Sequence, residues 1–392
     1  MTPDQAESVV PPPDDVESAV PTPFGPRAYA TRMRRAADEA AAARLTGLLL
    51  TPGPELTWLC GHRPGTSGER LTLLVLTPES EPRLLVPARD RAQASAAPAS
   101  AAVRITTWED GQDPYAAAAG LLLPHGHYGI SDTTWSLHLL GLEEALPLST
   151  YRPLSTALPL LRAVKDDDET ARLAAAAAAA HAAHDDVLAV RFTGRRESEL
   201  AADLARLLRV HGHDRVDVAR VASGPHSAHP GHRSGERVIE PGDTVVLDLG
   251  GRRDGYASAV TRTVHVGPPT EEERGVHEIV RTAQRAAFEA VRPGVPCAEV
   301  DRAARAVVTD AGHGEHAVPV TGHGIGITPY EPPYLVAGRT QLLAPGMCVT
   351  VGAGILLPGR FGMRVQEAVT CTADGARWLG GAVRGRDLVV VD

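Results

Sequence analysis

Apolar positions follow two regimes along this chain. Between Arg27 and about Leu160, short apolar runs at Leu45–Leu50, Leu71–Leu76, Arg83–Val86 and near His127–Ile130 are separated by polar turns. Runs of this length bounded by turn residues read as strands, and Pro52-Gly53-Pro54 marks a turn after the first. An amphipathic stretch from Tyr29 to Ala43 precedes them and predicts a helix. The alternation predicts a small sheet covered by helices.

From Pro159 onward the pattern changes. The segment to Val164, followed by Lys165-Asp166-Asp167-Asp168-Glu169, marks a boundary, with Asp168 or a neighbour capping the next helix. The alanine run Ala174–Ala180 propagates that helix. Further amphipathic stretches predict helices over Glu197–His211, Glu271–Arg292 and Cys297–Ala311. Strands are predicted over Val216–Ala222, Thr244–Leu249, Ala259–Val266, Met347–Val351 and Met363–Thr372. The fold class is α+β, in three parts: an acidic, proline-rich tail over 1–26, an α/β domain over 27–160 and a larger domain over 161–392.

Composition narrows the function. With 48 acidic against 39 basic residues the net charge is −9, which argues against a nucleic-acid partner. Lys165 is the only lysine, in what reads as a linker, so Schiff-base chemistry is not expected. Cys60, Cys297, Cys348 and Cys371 are scattered and read as buried free thiols of a reducing compartment. No apolar run reaches membrane-spanning length. The first 23 residues have neither the basic start nor the apolar centre of a signal peptide. The expectation is a disordered tail on a cytoplasmic protein.

Two stretches carry chemistry: Asp248-Leu-Gly250 leading into Tyr256-Ala-Ser258-Ala259-Val-Thr261-Arg262-Thr263, and Thr321-Gly-His323-Gly-Ile-Gly326. With them go Leu161-Arg-Ala-Val-Lys165, Glu331-Pro-Pro-Tyr334, Pro345-Gly-Met347 and Phe361-Gly-Met-Arg364. On these phrases the chain, from about Arg27 to Gly380, resembles the creatinase/aminopeptidase P/prolidase group of the M24 peptidases. The resemblance implies a small N-terminal creatinase-like domain, a C-terminal pita-bread domain and a homodimer. It also implies a site in which two aspartates, a histidine and two glutamates bridge two divalent ions that activate water. Placed on this sequence, the first aspartate is Asp248 and the histidine His323. The second aspartate falls on Ala259, the glutamates on Gly352 and Gln366, and a catalytic histidine on Tyr330. A substrate-side histidine falls on Gly231, one place from His232.

Losing the carboxylates that would bind the ions directly removes what hard or borderline cations need, so the expectation is no metal and no cofactor. His323, Asp248, His232 and Tyr330 are the catalytic candidates, with Asp248 paired to His323 and His232 as a displaced general base. Arg364, Tyr256, Gln366 and Glu367 are the substrate-binding candidates, Arg364 as a clamp for a substrate carboxylate or a partner of Glu367. His226, His229 and His232 are read as a solvated loop, because Pro225 and Pro230 break any helix. His181 and His184 are read as surface decoration. The function expected first is a metal-independent, creatinase-like enzyme acting on a small amide, amidino or carboxylate-bearing molecule. The alternatives are a non-catalytic binding protein, and an Xaa-Pro dipeptidase or aminopeptidase with a rebuilt metal site.

Overall fold

The computed structural model describes residues 24–64, 68–381 and 387–392. Of the tail expected over 1–26, residues 1–23 lie outside them, and Pro26 already opens a helix. Backbone contacts divide the chain into two compact units between Val164 and Lys165.

In the first unit six strands form one sheet: β1 (Gly47–Leu50), β2 (Leu73–Leu76), β3 (Arg83–Pro87), β4 (Arg104–Trp108), β5 (His127–Ile130) and β6 (Thr150–Pro153). Their order is β4-β3-β2-β1-β5-β6, with β1 antiparallel to β2 and parallel to β5. The central strands are buried throughout, which is why they read as unbroken apolar runs. The edge strands β4 and β6 carry Arg104-Ile-Thr-Thr and Thr150-Tyr-Arg; β4 is mostly half-buried and β6 largely exposed. A polar edge strand lacks the apolar signal, so neither was anticipated. The helix Pro26–Ala42 starts on a proline, whose missing N–H costs nothing there, and buries Met33, Ala36, Ala37 and Ala40.

The second unit opens on the helix Asp167–Val187. Its cap is Asp166: Glu169 N–H donates to Asp166 Oδ1 (2.8 Å) and Asp166 N–H to Glu169 Oε2 (3.1 Å). Lys165 is not in a loose linker. Its Nζ lies 2.7 Å from Glu331 Oε1, both side chains almost wholly buried, and the Thr328 hydroxyl donates to the other Glu331 oxygen. Removing one partner of a buried pair strands the other charge. Lys165→Met is expected to cost about 3–5 kcal/mol, read as a lower urea midpoint with unchanged slope.

The strands of this unit are β7 (Arg215–Ser223), β8 (Thr244–Arg253), β9 (Tyr256–Ala257), β10 (Val260–Val266), β11 (Gly322–Gly324), β12 (Glu331–Leu335), β13 (Cys348–Leu357), β14 (Phe361–Thr372), β15 (Gly375–Trp378) and β16 (Val389–Val391). The main path is β12-β11-β13-β14-β10-β8-β7. Val245, Leu247, Leu249, Val260 and Val264 pack with Leu200, Leu204 and Leu208 of the helix Glu197–Val210. Strand side chains alternate, so Asp248 and Thr261 turn to the opposite face. No helix among the described residues is long and apolar enough to cross a membrane.

Candidate functional site

Strand register builds the site. Arg220 of β7 stands opposite Asp248 of β8, and Asp248 opposite Thr261 of β10. Thr261 stands opposite Gln366 of β14, and Gln366 opposite Gly352 of β13. Directly opposed residues share a face, so five strands present one transverse row: Arg220, Asp248, Thr261, Gln366 and Gly352. Arg364, two places from Gln366, is on the same face. The row stops at Gly352 for a steric reason: a Cβ there would stand 2.7 Å from the Val365 carbonyl oxygen.

His323 joins the row through Gln366. Its Nδ1–H donates to the Gly324 carbonyl (3.0 Å), which leaves Nε2 as the lone-pair nitrogen, 3.2 Å from the Gln366 amide nitrogen. Burial holds the imidazole below its ordinary pKa, outweighing the Gly324 carbonyl and the nearby Glu331 and Asp248, which pull the other way. His323 is therefore neutral at pH 7. Tyr330 stacks on it with ring centroids 4.0 Å apart. The Tyr330 side chain is otherwise open, at 69% exposure, so it covers His323 rather than filling a core.

Asp248 does not pair with His323. Oδ1 accepts from the Thr261 hydroxyl (3.2 Å) and Oδ2 lies 3.5 Å from Arg220 Nη1. Arg220 was not anticipated; alternation along Arg215–Ser223 puts it on the same face as Asp248, but nothing in its local pattern marks it. Tyr256 and Glu367 are not brought to this row. Tyr256 is buried, with its hydroxyl donating to Glu169 Oε1 (2.8 Å). Glu367 follows Gln366 and so faces the other way, where it meets Arg262 and His181 Nε2. Arg364 is thus not its partner. Among the described residues the Arg364 guanidinium has no hydrogen bond or ion pair, so it is available to a ligand. His181 and His184 are not surface decoration: the first binds Glu367 (2.7 Å), and burial pushes the second down to about 4.

The histidine-rich segment is ordered too. His232 Nε2 lies 2.7 Å from Glu197 Oε2 and His226 Nδ1 lies 3.1 Å from Glu197 Oε1. The Pro230 carbonyl accepts from Arg220 Nη1 (3.4 Å), which ties this segment to the Asp248 end of the row. His229 is exposed and takes no part. Pro225 and Pro230 leave no α-helix here, but Gly224–Ala228 form a short 3-10 helix that contains Pro225. The two prolines do not prevent two imidazoles from converging on one buried carboxylate.

The row does not fit the two-ion cage that the resemblance implies. The positions for one aspartate and two glutamates hold Ala259, Gly352 and Gln366, and Asp248 is engaged by a cation and a hydroxyl. The His323 nitrogen that would face an ion instead faces an amide donor.

Comparison with known proteins decides the lineage. The model of metallopeptidase family M24 matches residues 171–373, and the creatinase/prolidase N-terminal domain matches residues 32–164. The chain belongs to the M24 family. It is 40% identical over 358 residues to a protein of Mycobacterium tuberculosis named probable dipeptidase PepE, covering 90% of this chain and 94% of that one. The crystal structure of dipeptidase PepE from Mycobacterium ulcerans superposes with a TM-score of 0.88 at 40% identity, over 94% of this chain and 99% of that chain. An Xaa-Pro dipeptidase of Lactobacillus helveticus is 31% identical over 279 residues, 68% of this chain and 74% of that one. The expected α+β fold, a creatinase-like domain followed by a pita-bread M24 domain, is that of the family. The expectation of a metal-independent, creatinase-like enzyme for a small amide, amidino or carboxylate-bearing molecule is corrected: these M24 relatives are named as dipeptidases, which fits the Xaa-Pro dipeptidase or aminopeptidase alternative better.

Proposed function

We propose that this M24 protein is a hydrolase of short peptides, of the dipeptidase type. On this reading the row grips the substrate carboxylate with Arg364 and presents His323 to the peptide carbonyl. The observation that carries it is the 40% identity, over nearly the full length of both chains, to proteins named dipeptidase PepE. Site charge supports it. Arg220 and Arg364 against Asp248, with Gln366 and His323 neutral, leave the face net positive, where four carboxylates would have made it strongly negative. An unpartnered arginine suits a free carboxylate, which it binds through paired N–H donors.

Gln366 and His323 supply orientation and a proton acceptor. A substrate oxygen that accepts a hydrogen bond from the Gln366 amide frees His323 Nε2, whose lone pair takes a proton from water as the water oxygen adds to the peptide carbonyl. The imidazolium then returns that proton to the amine nitrogen as the C–N bond breaks. Tyr330 limits water over that nitrogen. His232, held by Glu197, is the second imidazole of the site on this reading. The dinuclear centre of the family has no place in it, because the donor set at Ala259, Gly352 and Gln366 does not fit one.

The test is turnover of a dipeptide panel, Xaa-Pro included, with and without added manganese, cobalt or zinc. Arg364→Met is expected to raise KM about tenfold or more, the loss of a charge-assisted hydrogen bond of about 1.5–3 kcal/mol, with little change in kcat. If no dipeptide is turned over, the dipeptidase reading is lost. The dismantled cage favours a second reading, a binder of short peptides without catalysis. Calorimetry with a non-hydrolysed dipeptide supports it if Arg364→Met weakens binding. As the setting of either reading we propose a cytoplasmic homodimer. The four buried free cysteines support the compartment and family resemblance the assembly, which light scattering would check.

A further inference from the structure

We infer that Glu197, His226 and His232 form a binding site for one divalent transition-metal ion of the zinc type, away from the positions the family uses. The inference does not rest on the dipeptidase reading.

The side chains are already assembled around a common point. Glu197 Oε1, His226 Nδ1, Glu197 Oε2 and His232 Nε2 are in hydrogen-bond contact, and the three residues offer ligand atoms all within 4.8 Å of one another. The two rings lie with centroids 4.3 Å apart. Two imidazole nitrogens and one carboxylate are a donor set that zinc takes with a fourth position open to water or substrate. Without an ion these two nitrogens carry the protons that the Glu197 carboxylate accepts. On binding, each neutral imidazole shifts its proton to the other ring nitrogen and turns the freed lone pair to the ion, so no proton need leave the protein.

The surroundings suit an ion. Glu197 is fully buried, and it is held from behind: Ser223 N–H and Oγ–H donate to Oε1 (2.8 Å each) and Gly235 N–H to Oε2 (3.2 Å). Outer partners of this kind fix a ligating carboxylate. The cation beside the cluster, Arg237, is committed to Asp243 through two bonds of 2.6 and 2.9 Å, so it does not claim Glu197. The His226 side chain, 39% exposed, gives an ion its way in. Because Arg220 bonds both Pro230 and Asp248, an ion here would sit on the segment that borders the substrate row.

The experiment uses the full chain stripped with a chelator, titrated with zinc by calorimetry and with cobalt by visible absorption. One ion per chain is expected. His226→Gln and His232→Gln should each weaken it by at least about tenfold, and Asp248→Asn should leave it unchanged. His226→Cys, which keeps a ligand, should retain binding and add a thiolate-to-cobalt absorption band. That variant decides the matter should the glutamine variants not fold. No uptake by the parent chain would overturn the inference. So would uptake that survives both glutamine substitutions, uptake lost in Asp248→Asn, or a cysteine variant that binds cobalt without the new band.

Discussion

Returning carboxylates to the row, as Ala259→Asp with Gln366→Glu, is expected to strengthen metal binding at Asp248 and His323. The two changes raise the row from one carboxylate to three and replace the amide donor facing His323 Nε2 with an acceptor, giving four ligands of the type hard and borderline ions require. Disturbing outer partners alone changes affinity by about 10- to 100-fold, so restoring two direct ligands should gain at least about 100-fold. Metal content after dialysis against manganese or cobalt is the readout, in a His226→Gln, His232→Gln background that silences the second cluster. Arg220→Ala should add to the gain by releasing Asp248. Adding Gly352→Glu should be destabilising by about 1–3 kcal/mol, since its Cβ would press on the Val365 carbonyl oxygen at 2.7 Å. A parent chain that already holds two ions at Asp248 and His323 would sink the account of this site.

The second large effect is acid lability. Burial holds His184, His213 and His277 down to about 4, against an ordinary value of 6.5. His213 is closed in by the Leu208 carbonyl (3.0 Å) and the Ser258 hydroxyl (2.8 Å), and Arg281 adds to the depression at His277. At pH 7 these imidazoles are neutral whether the chain is folded or not. As pH falls through 6.5 the unfolded chain takes up protons that the folded one refuses until about pH 4. Stability is therefore present above pH 6.5 and is lost between 6.5 and about 4, by about 3 kcal/mol for each of the three. Burial also lowers His62, His181 and His323, with the same sign. Glu197 and Glu273, held down by their hydrogen-bond donors, act in a lower window, below pH 4.5. Urea midpoints at pH 7, 5.5 and 4.5 should fall steeply, and His277→Gln should flatten the slope. A midpoint constant to pH 4.5 would contradict these burials.

Much of the fold is legible in the residues because the central strands are buried and the helices amphipathic. The helix expected from Glu197 ends at Val210, and β8 and β13 run several residues past the expected ends, to Arg253 and Leu357. Those extensions carry glycine and arginine, and pairing across the sheet supports them where local pattern does not. Of the site, His323, Asp248, Gln366 and Arg364 were recognisable as parts of family phrases, and they share one face. Tyr256 and Glu367 belong to the same phrases but are turned into buried contacts, since neighbours in a strand point to opposite sides. Glu197 could not be found at all from the sequence. It opens a helix, where a glutamate is ordinary, and only the fold brings it beneath His226 and His232.

The buried Lys165–Glu331 pair has a consequence for chemical labelling. Lys165 carries the chain's single side-chain amine, and its neighbours shut it away from solvent. Acylating and carbamylating reagents should thus leave Lys165 unmodified while the protein stays folded. Appearance of an adduct on Lys165 would register opening of the larger domain, a built-in reporter that needs no introduced probe.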